Sequence, residues 1–283
     1  MLPEWETYLQ WLIANKQNYV HWPLLWAESW ADFADGDERI ERLRKLVEMA
    51  HQYGIRIGVD VPMVLHQQNA YRLLREFGEL EAEQNEIKAR INYLMGAGFD
   101  YLAAESGTSE FTNPGGERML AWMDVFASHL DEEWGAEAFI KNHISGDQVA
   151  EGYPDPDTGE DINFNHLTYY ADSRLGAMPH TVQHYALDDP APTYGNDNFS
   201  HMHRYMQQEA GRRQVVWHPE TAYWVSFDID VPLFLPIYAE RRLHDLRLIA
   251  DDERAGRMGI EEFAGSRIDG QFIFSSGWEW GYW

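Results

Sequence analysis

The chain has 283 residues, no cysteine, and 47 acidic against 22 basic side chains, for a formal net charge of −25. That charge argues against nucleic acid, whose phosphates need Lys and Arg to displace counterions, and equally against an anionic membrane surface. The lack of cysteine excludes disulfide scaffolds, thiol nucleophiles and Cys-ligated zinc. A chain of this length buries roughly 75% of its unfolded surface and needs no metal merely to fold. No apolar run reaches ~18 residues, and Met1-Leu2-Pro3-Glu4-Trp5 lacks the basic-then-apolar plan of a signal peptide. A soluble acidic protein is expected, cytoplasmic or secreted, and rich in aromatics: 12 Trp, 15 Tyr and 13 Phe.

Helix-like and strand-like segments alternate along the chain. Leu9, Leu12 and Ile13 form a helical stripe, followed by the strand-like run Asn18–Leu25. Asp37 caps a second helix with Ile40, Leu43, Leu46, Val47 and Ala50 on one face, and Gly54 stops it. The strand Ile55–Val61 is next, then a helix from about Ala70 to Met95, the strand Phe99–Ala104, a helix marked by Met119, Met123, Phe126 and Leu130, and the short strand Ala138–Ile140. The polar stretch Ser145–Asn163 reads as an elaborated loop. A strand lies within Leu175–Ala186, a helix runs from Ser200 through Gln208, and Gln214–His218 is a strand. Ile237–Ala250 is a helix and Gln271–Phe274 the last strand.

Seven strands with helical crossovers give an α/β fold with a parallel sheet. No Gly-rich phosphate-binding turn follows an early strand: Gly115-Gly116 is neither G-x-G-x-x-G nor a P-loop. The strands instead end in polar and aromatic residues, as in a (β/α)8 TIM barrel, where βα loops build the site. The count fits a single barrel domain over 1–283, incomplete, lacking its first strand and last helix, as in an excerpt of a longer chain.

In such a barrel the reacting groups sit at the C-terminal strand ends. Those ends offer Trp22, Asp60, Glu105, His143, His180, Tyr185, His218, Glu220, Trp278 and Trp280. Carboxylates and histidines with tryptophans on one rim suit carbohydrate chemistry: indole faces stack on sugar rings, and paired carboxyls carry acid/base and nucleophilic steps. Glu105 and Glu220 are the leading carboxylates, with Glu110 a rival to the first and Asp228 or Asp230 to the second. Each also has a structural reading, Glu105 in a helix cap or ion pair and Glu220 in the first turn of a helix after Pro219.

With strand one absent, Glu105 and Glu220 end strands four and seven. There the sequence resembles the (β/α)8-barrel glycoside hydrolase superfamily, whose largest retaining clan has an acid/base Glu after strand four and a nucleophile Glu after strand seven. The resemblance implies these roles for Glu105 and Glu220. The segment Lys16-Gln17-Asn18-Tyr19-Val20-His21-Trp22 is similar to the entry into strand two of β-hexosaminidases. The sequence departs from both patterns at Ala104, where the clan has Asn and the hexosaminidases have Asp.

The expected function is cleavage of a glycosidic bond, with a carbohydrate as partner and no cofactor or metal. His180, His218 and Tyr185 would position substrate or tune the nucleophile, Asp60 and His143 would contact it, and Trp22, Trp278 and Trp280 would stack on sugar rings. Two alternatives stand beside it: a metal-dependent barrel hydrolase using His143 and His180, and a non-catalytic carbohydrate-binding barrel. His180 and His184 lack the glutamate of a helical zinc motif, and His201 and His203 diverge if they lie on a helix. The acidic loop Asp155–Asp161 fails EF-hand spacing at Glu160.

Overall fold

The structure is a computed structural model and describes residues 2–64, 69–105, 114–143, 146, 148–221 and 235–273. The chain divides into two compact units, Met1–Ile140 with Tyr170–Leu175, and Lys141–Tyr169 with Gly176–Trp283.

The first unit alternates helices and strands as the periodicity predicts. In chain order it holds α1 (Leu2–Ala14), β1 (Tyr19–Pro23), the single turn α2 (Ala31–Ala34), α3 (Asp37–Gln52), β2 (Arg56–Asp60), α4 (Leu80–Met95), β3 (Tyr101–Glu105), α5 (Gly116–His129) and most of β4 (Glu137–Asn142). The sheet order is β1-β2-β3-β4. β1, β2 and β3 are parallel, with Pro23 opposite Asp60 and Asp60 opposite Ala103. α3 forms because Ile40, Leu43, Val47 and Ala50 recur on one face and are buried there. Asp37 and Glu38 sit in its first turn, where the helix dipole favours negative charge. Gly54, at φ +70°, supplies the left-handed residue that ends it.

One helix is shorter than expected. α4 begins at Leu80 rather than near Ala70, because Leu73 and Leu74 donate their N–H groups to the carbonyls of Pro62 and Met63, at 3.0 and 2.9 Å. Their apolar side chains are buried by this pairing rather than by a helical face.

Strand alternation sorts the aromatics of this unit. Tyr19, His21 and Phe139 surround Tyr101, with ring centroids 5.7, 5.9 and 5.8 Å from it. Gly58 makes room for that ring: a Cβ there would stand 2.6 Å from it. Trp22 has the opposite parity in β1 and packs against Trp5 of α1 at 5.0 Å and Phe99 at 6.3 Å.

The second unit holds β5 (Val149–Pro154) and β6 (Asp161–Asn163), then β7 (Leu175–Pro179) from its second residue onward. These are followed by β8 (Pro190–Thr193), β9 (Asn196–Asn198), α6 (Ser200–Glu209), β10 (Val216–Trp217), α7 (Leu235–Ala255) and β11 (Gly270–Gln271). Its core gathers Val182, Phe199, Met202, Val215, Trp217 and Ile249. The polar stretch predicted as loop contains the antiparallel hairpin β5–β6. Its turn is set by Asp155, whose Oδ1 accepts the N–H groups of Asp157 and Thr158 at 2.9 and 3.2 Å. Asp155 also pairs with Arg204 at 2.9 Å, and Asp157 accepts from Gln208 at 2.6 Å, so protein donors engage these carboxylates. His201 and His203 do diverge on α6: His201 stacks on His166 at 5.5 Å, while His203 Nε2 lies 2.5 Å from Asp252.

The described strands do not form a closed barrel. No described helix is long and apolar enough to cross a membrane.

Candidate active site at the strand ends of the second unit

Short parallel strands bring their C-terminal ends together by backbone pairing. Ala177 is bridged in parallel to Val215, and β10 pairs in parallel with β11, Val216 opposite Gly270. Beyond the strands the ladder continues. The N–H of His180 donates to the carbonyl of Asn142 at 3.2 Å, that of His218 to Pro179 at 2.9 Å, and that of Phe272 to Trp217 at 2.8 Å. This register places four rings in a row, one from each strand end. His143 is 5.6 Å from His180, His180 is 5.8 Å from His218, and His218 is 5.7 Å from Phe272.

The centre of the row is buried, His180 and His218 each being 6% exposed. The Nδ1 of His180 lies 2.9 Å from the carbonyl of His218, so Nδ1 carries the hydrogen. Burial holds the His180 imidazole well below its ordinary pKa, aided by Lys141, His143 and His218, against the opposing pull of that hydrogen bond. His180 is therefore a neutral ring at neutral pH.

Glu220 follows His218 by two residues and is 5% exposed. Its N–H donates to Thr181 at 3.0 Å, and its Oε2 accepts the N–H of Gln183 in a short hydrogen bond. Burial pushes the Glu220 carboxyl up to about 7, although Gln183, Lys141 and Arg242 all favour its charged form. Gln183 has φ +56°, a left-handed conformation unusual for a residue with a side chain.

The loop that presents Gln183 is held from α7. Arg242 donates to the Thr181 hydroxyl at 2.9 Å and to the Tyr185 carbonyl, and its Nε lies 3.3 Å from Asp245. Asp245 in turn accepts the N–H of Leu187 at 2.8 Å. Burial raises the Asp245 carboxyl to about 6 despite the guanidinium beside it. A buried ion pair thus braces residues 181–187 from both ends.

Of the residues expected from sequence, His143, His180, His218 and Glu220 come together here. Tyr185 is beside them in the chain, stacked on His184 at 4.7 Å and edge-on to Phe199 at 6.3 Å, and it offers Arg242 its carbonyl. Asp60 and Glu105 belong to the first unit. They share the sheet face of Gly58 and Tyr101, with Glu105 two residues beyond the Ala103 that opposes Asp60. Trp22 lies on the other face, packed on α1. Trp278 and Trp280, and the rivals Glu110, Asp228 and Asp230, lie outside the described residues.

Four contributors escape sequence reasoning: Phe272, Gln183, Thr181 and Arg242. Gln183 acts through its backbone, and Arg242 comes from a helix far along the chain, so no motif spacing marks either. The segment 180–184 is not helical, so His180 and His184 do not share a helix face. Among the described residues no group of three or more His, Asp or Glu is arranged to hold a metal ion.

No family model matches the sequence, and no curated protein matches it. In fold the chain is similar to PbGH5A, a glycoside hydrolase family 5 enzyme from Prevotella bryantii B14. The TM-score is 0.56 at 12% identity, over 95% of this chain and 78% of that one. It also aligns with a Thermobaculum terrenum O-GlcNAc hydrolase at TM-score 0.49 and 9% identity, over 77% of this chain and 44% of that one. With CpGH84D the TM-score is 0.48 at 10% identity, over 76% of this chain. The chain spans about a third of the length of CpGH84D.

Proposed function

We propose that the chain cleaves a glycosidic bond, using Glu220 and Glu105 as its two carboxyl groups and a carbohydrate as its substrate. The proposal includes the reading of the fold as a (β/α)8 barrel. The observation that carries it is the setting of Glu220: a carboxyl at a strand end, two residues beyond the His218 that packs on the neutral His180 ring, with its pKa raised by burial to about 7. A carboxyl that keeps its proton near neutral pH has the property required of a general acid. Glu220 therefore donates its proton to the leaving glycosidic oxygen as the bond to the anomeric carbon breaks. Glu105 forms the new bond to that carbon, and water then displaces it, with Glu220 taking the water's proton. The superfamily resemblance implies the reverse roles; the burial of Glu220 supports this order.

The test is turnover of a panel of aryl glycosides by Glu220→Ala and Glu105→Ala, with and without azide. Both variants should lose activity. Azide should restore Glu220→Ala with retained configuration at the anomeric carbon, and Glu105→Ala with inverted configuration. Inversion at Glu220→Ala would return it to the role of nucleophile, and full activity in either variant would remove that residue from the chemistry.

A further inference from the structure

The two-residue turn joining β8 to β9 is occupied by Tyr194-Gly195, both left-handed, with φ +51° and +79°. Positive φ at both centres defines a type I′ turn, whose first position favours Asn, Asp or Gly and disfavours an aromatic. A tyrosine held there is strained, and strain of this kind concentrates where a side chain is used. The hairpin does not leave Tyr194 adrift. Its carbonyl accepts the N–H of Gly146 at 2.6 Å, and Asn196 donates to the carbonyls of Thr193 and Tyr194 at 3.2 and 3.3 Å. Residue 146 must be small for this approach, since a Cβ there would come within 2.8 Å of the Gly195 carbonyl.

So placed, the phenol ring makes a T-shaped contact with His143, at 6.0 Å, and extends the ring row by one member beyond the strands. The row then ends on a large ring that is 45% exposed, whereas His180 and His218 are 6% exposed. An exposed aromatic fixed beside His143, at the end of a row that holds three imidazoles, matches a pyranose: its C–H face stacks on the phenol while its hydroxyls face the imidazoles.

We infer that Tyr194 is the stacking platform of a sugar subsite adjoining the Glu220 site, so that the preferred substrate is an oligo- or polysaccharide rather than a single sugar unit. This rests on the carbohydrate reading above, and the test separates the two. Wild type, Tyr194→Phe and Tyr194→Asn are run in native gels containing mixed-linkage β-glucan, xylan or galactomannan, with thermal unfolding measured in parallel. The inference expects wild type and Tyr194→Phe to be retarded alike by at least one polymer. It expects Tyr194→Asn to lose about tenfold in affinity while unfolding at a higher temperature, because Asn suits the turn. Equal retardation of Tyr194→Asn and wild type would overturn the platform and leave the glycosidase reading standing. So would aryl-glycoside turnover by a wild type that no polymer retards. A wild type that neither turns over a glycoside nor is retarded by any polymer overturns both. A Tyr194→Asn protein that unfolds earlier than wild type refutes the strain on which the argument depends.

Discussion

Replacing Glu220 by Gln should stabilise the protein at neutral pH, and the sign follows from the site. The carboxyl is 5% exposed, and burial lifts it from 4.5 to about 7 in the folded chain. A carboxyl with a raised folded pKa costs the fold nothing below its unfolded value, because both states are then protonated. Its cost grows as pH rises from 4.5, where the unfolded chain releases the proton first, and levels off above about 7. The shift corresponds to about 3 kcal/mol at the plateau, an order-of-magnitude figure. Glutamine is neutral throughout and keeps an oxygen for the Gln183 N–H. Urea unfolding of both proteins at pH 4.5, 6 and 7.5 should therefore show little difference at the lowest pH and a gain of up to about 3 kcal/mol for the variant at the highest. A pH-independent difference, or a variant less stable than wild type at pH 7.5, would refute the account of Glu220 as a carboxyl whose burial outweighs its partners.

Arg242→Met removes the donors to Thr181 and Tyr185 and leaves Asp245, which is 0% exposed, without its cation. Breaking a buried pair in this way costs about 3–5 kcal/mol, and Arg242→Met with Asp245→Leu should recover much of it, as read by denaturant midpoints. A loss below about 1 kcal/mol in the single variant would show that the brace is not rigid. Gly58→Ala drives a methyl to 2.6 Å from the Tyr101 ring and should cost about 1–3 kcal/mol by the same measurement. A neutral outcome would mean that the ring cluster around Tyr101 yields easily.

Much of the first unit was legible because its helices and strands bury periodic apolar faces. Trp22 was less legible: its place at the end of β1 pointed to a sugar platform, whereas strand alternation parts it from His21 and packs it on Trp5 of α1. Leu73 and Leu74 misled because apolar residues buried by loop pairing look like a helical stripe. The β5–β6 hairpin was hidden because its strands are polar, and an Asp155 turn with an Arg204 ion pair, rather than a hydrophobic pattern, fixes them. At the site, His180, His218 and Glu220 were readable from their places after strands. The brace on Glu220 was not, since it works through one backbone N–H and a guanidinium 22 residues further along the chain.

The hydrogen bond from His180 Nδ1 to the His218 carbonyl has a consequence for ligand choice. With that hydrogen committed to the backbone and the ring kept neutral, Nε2 presents a lone pair and nothing to give away. Whatever meets it must bring its own hydrogen. A hydroxyl or an ammonium qualifies, whereas a carboxylate or phosphate oxygen would face electron density with no proton between. On the carbohydrate reading proposed above, the bond would act as a filter at His180, turning away anions and admitting the hydroxyls that sugars carry in abundance.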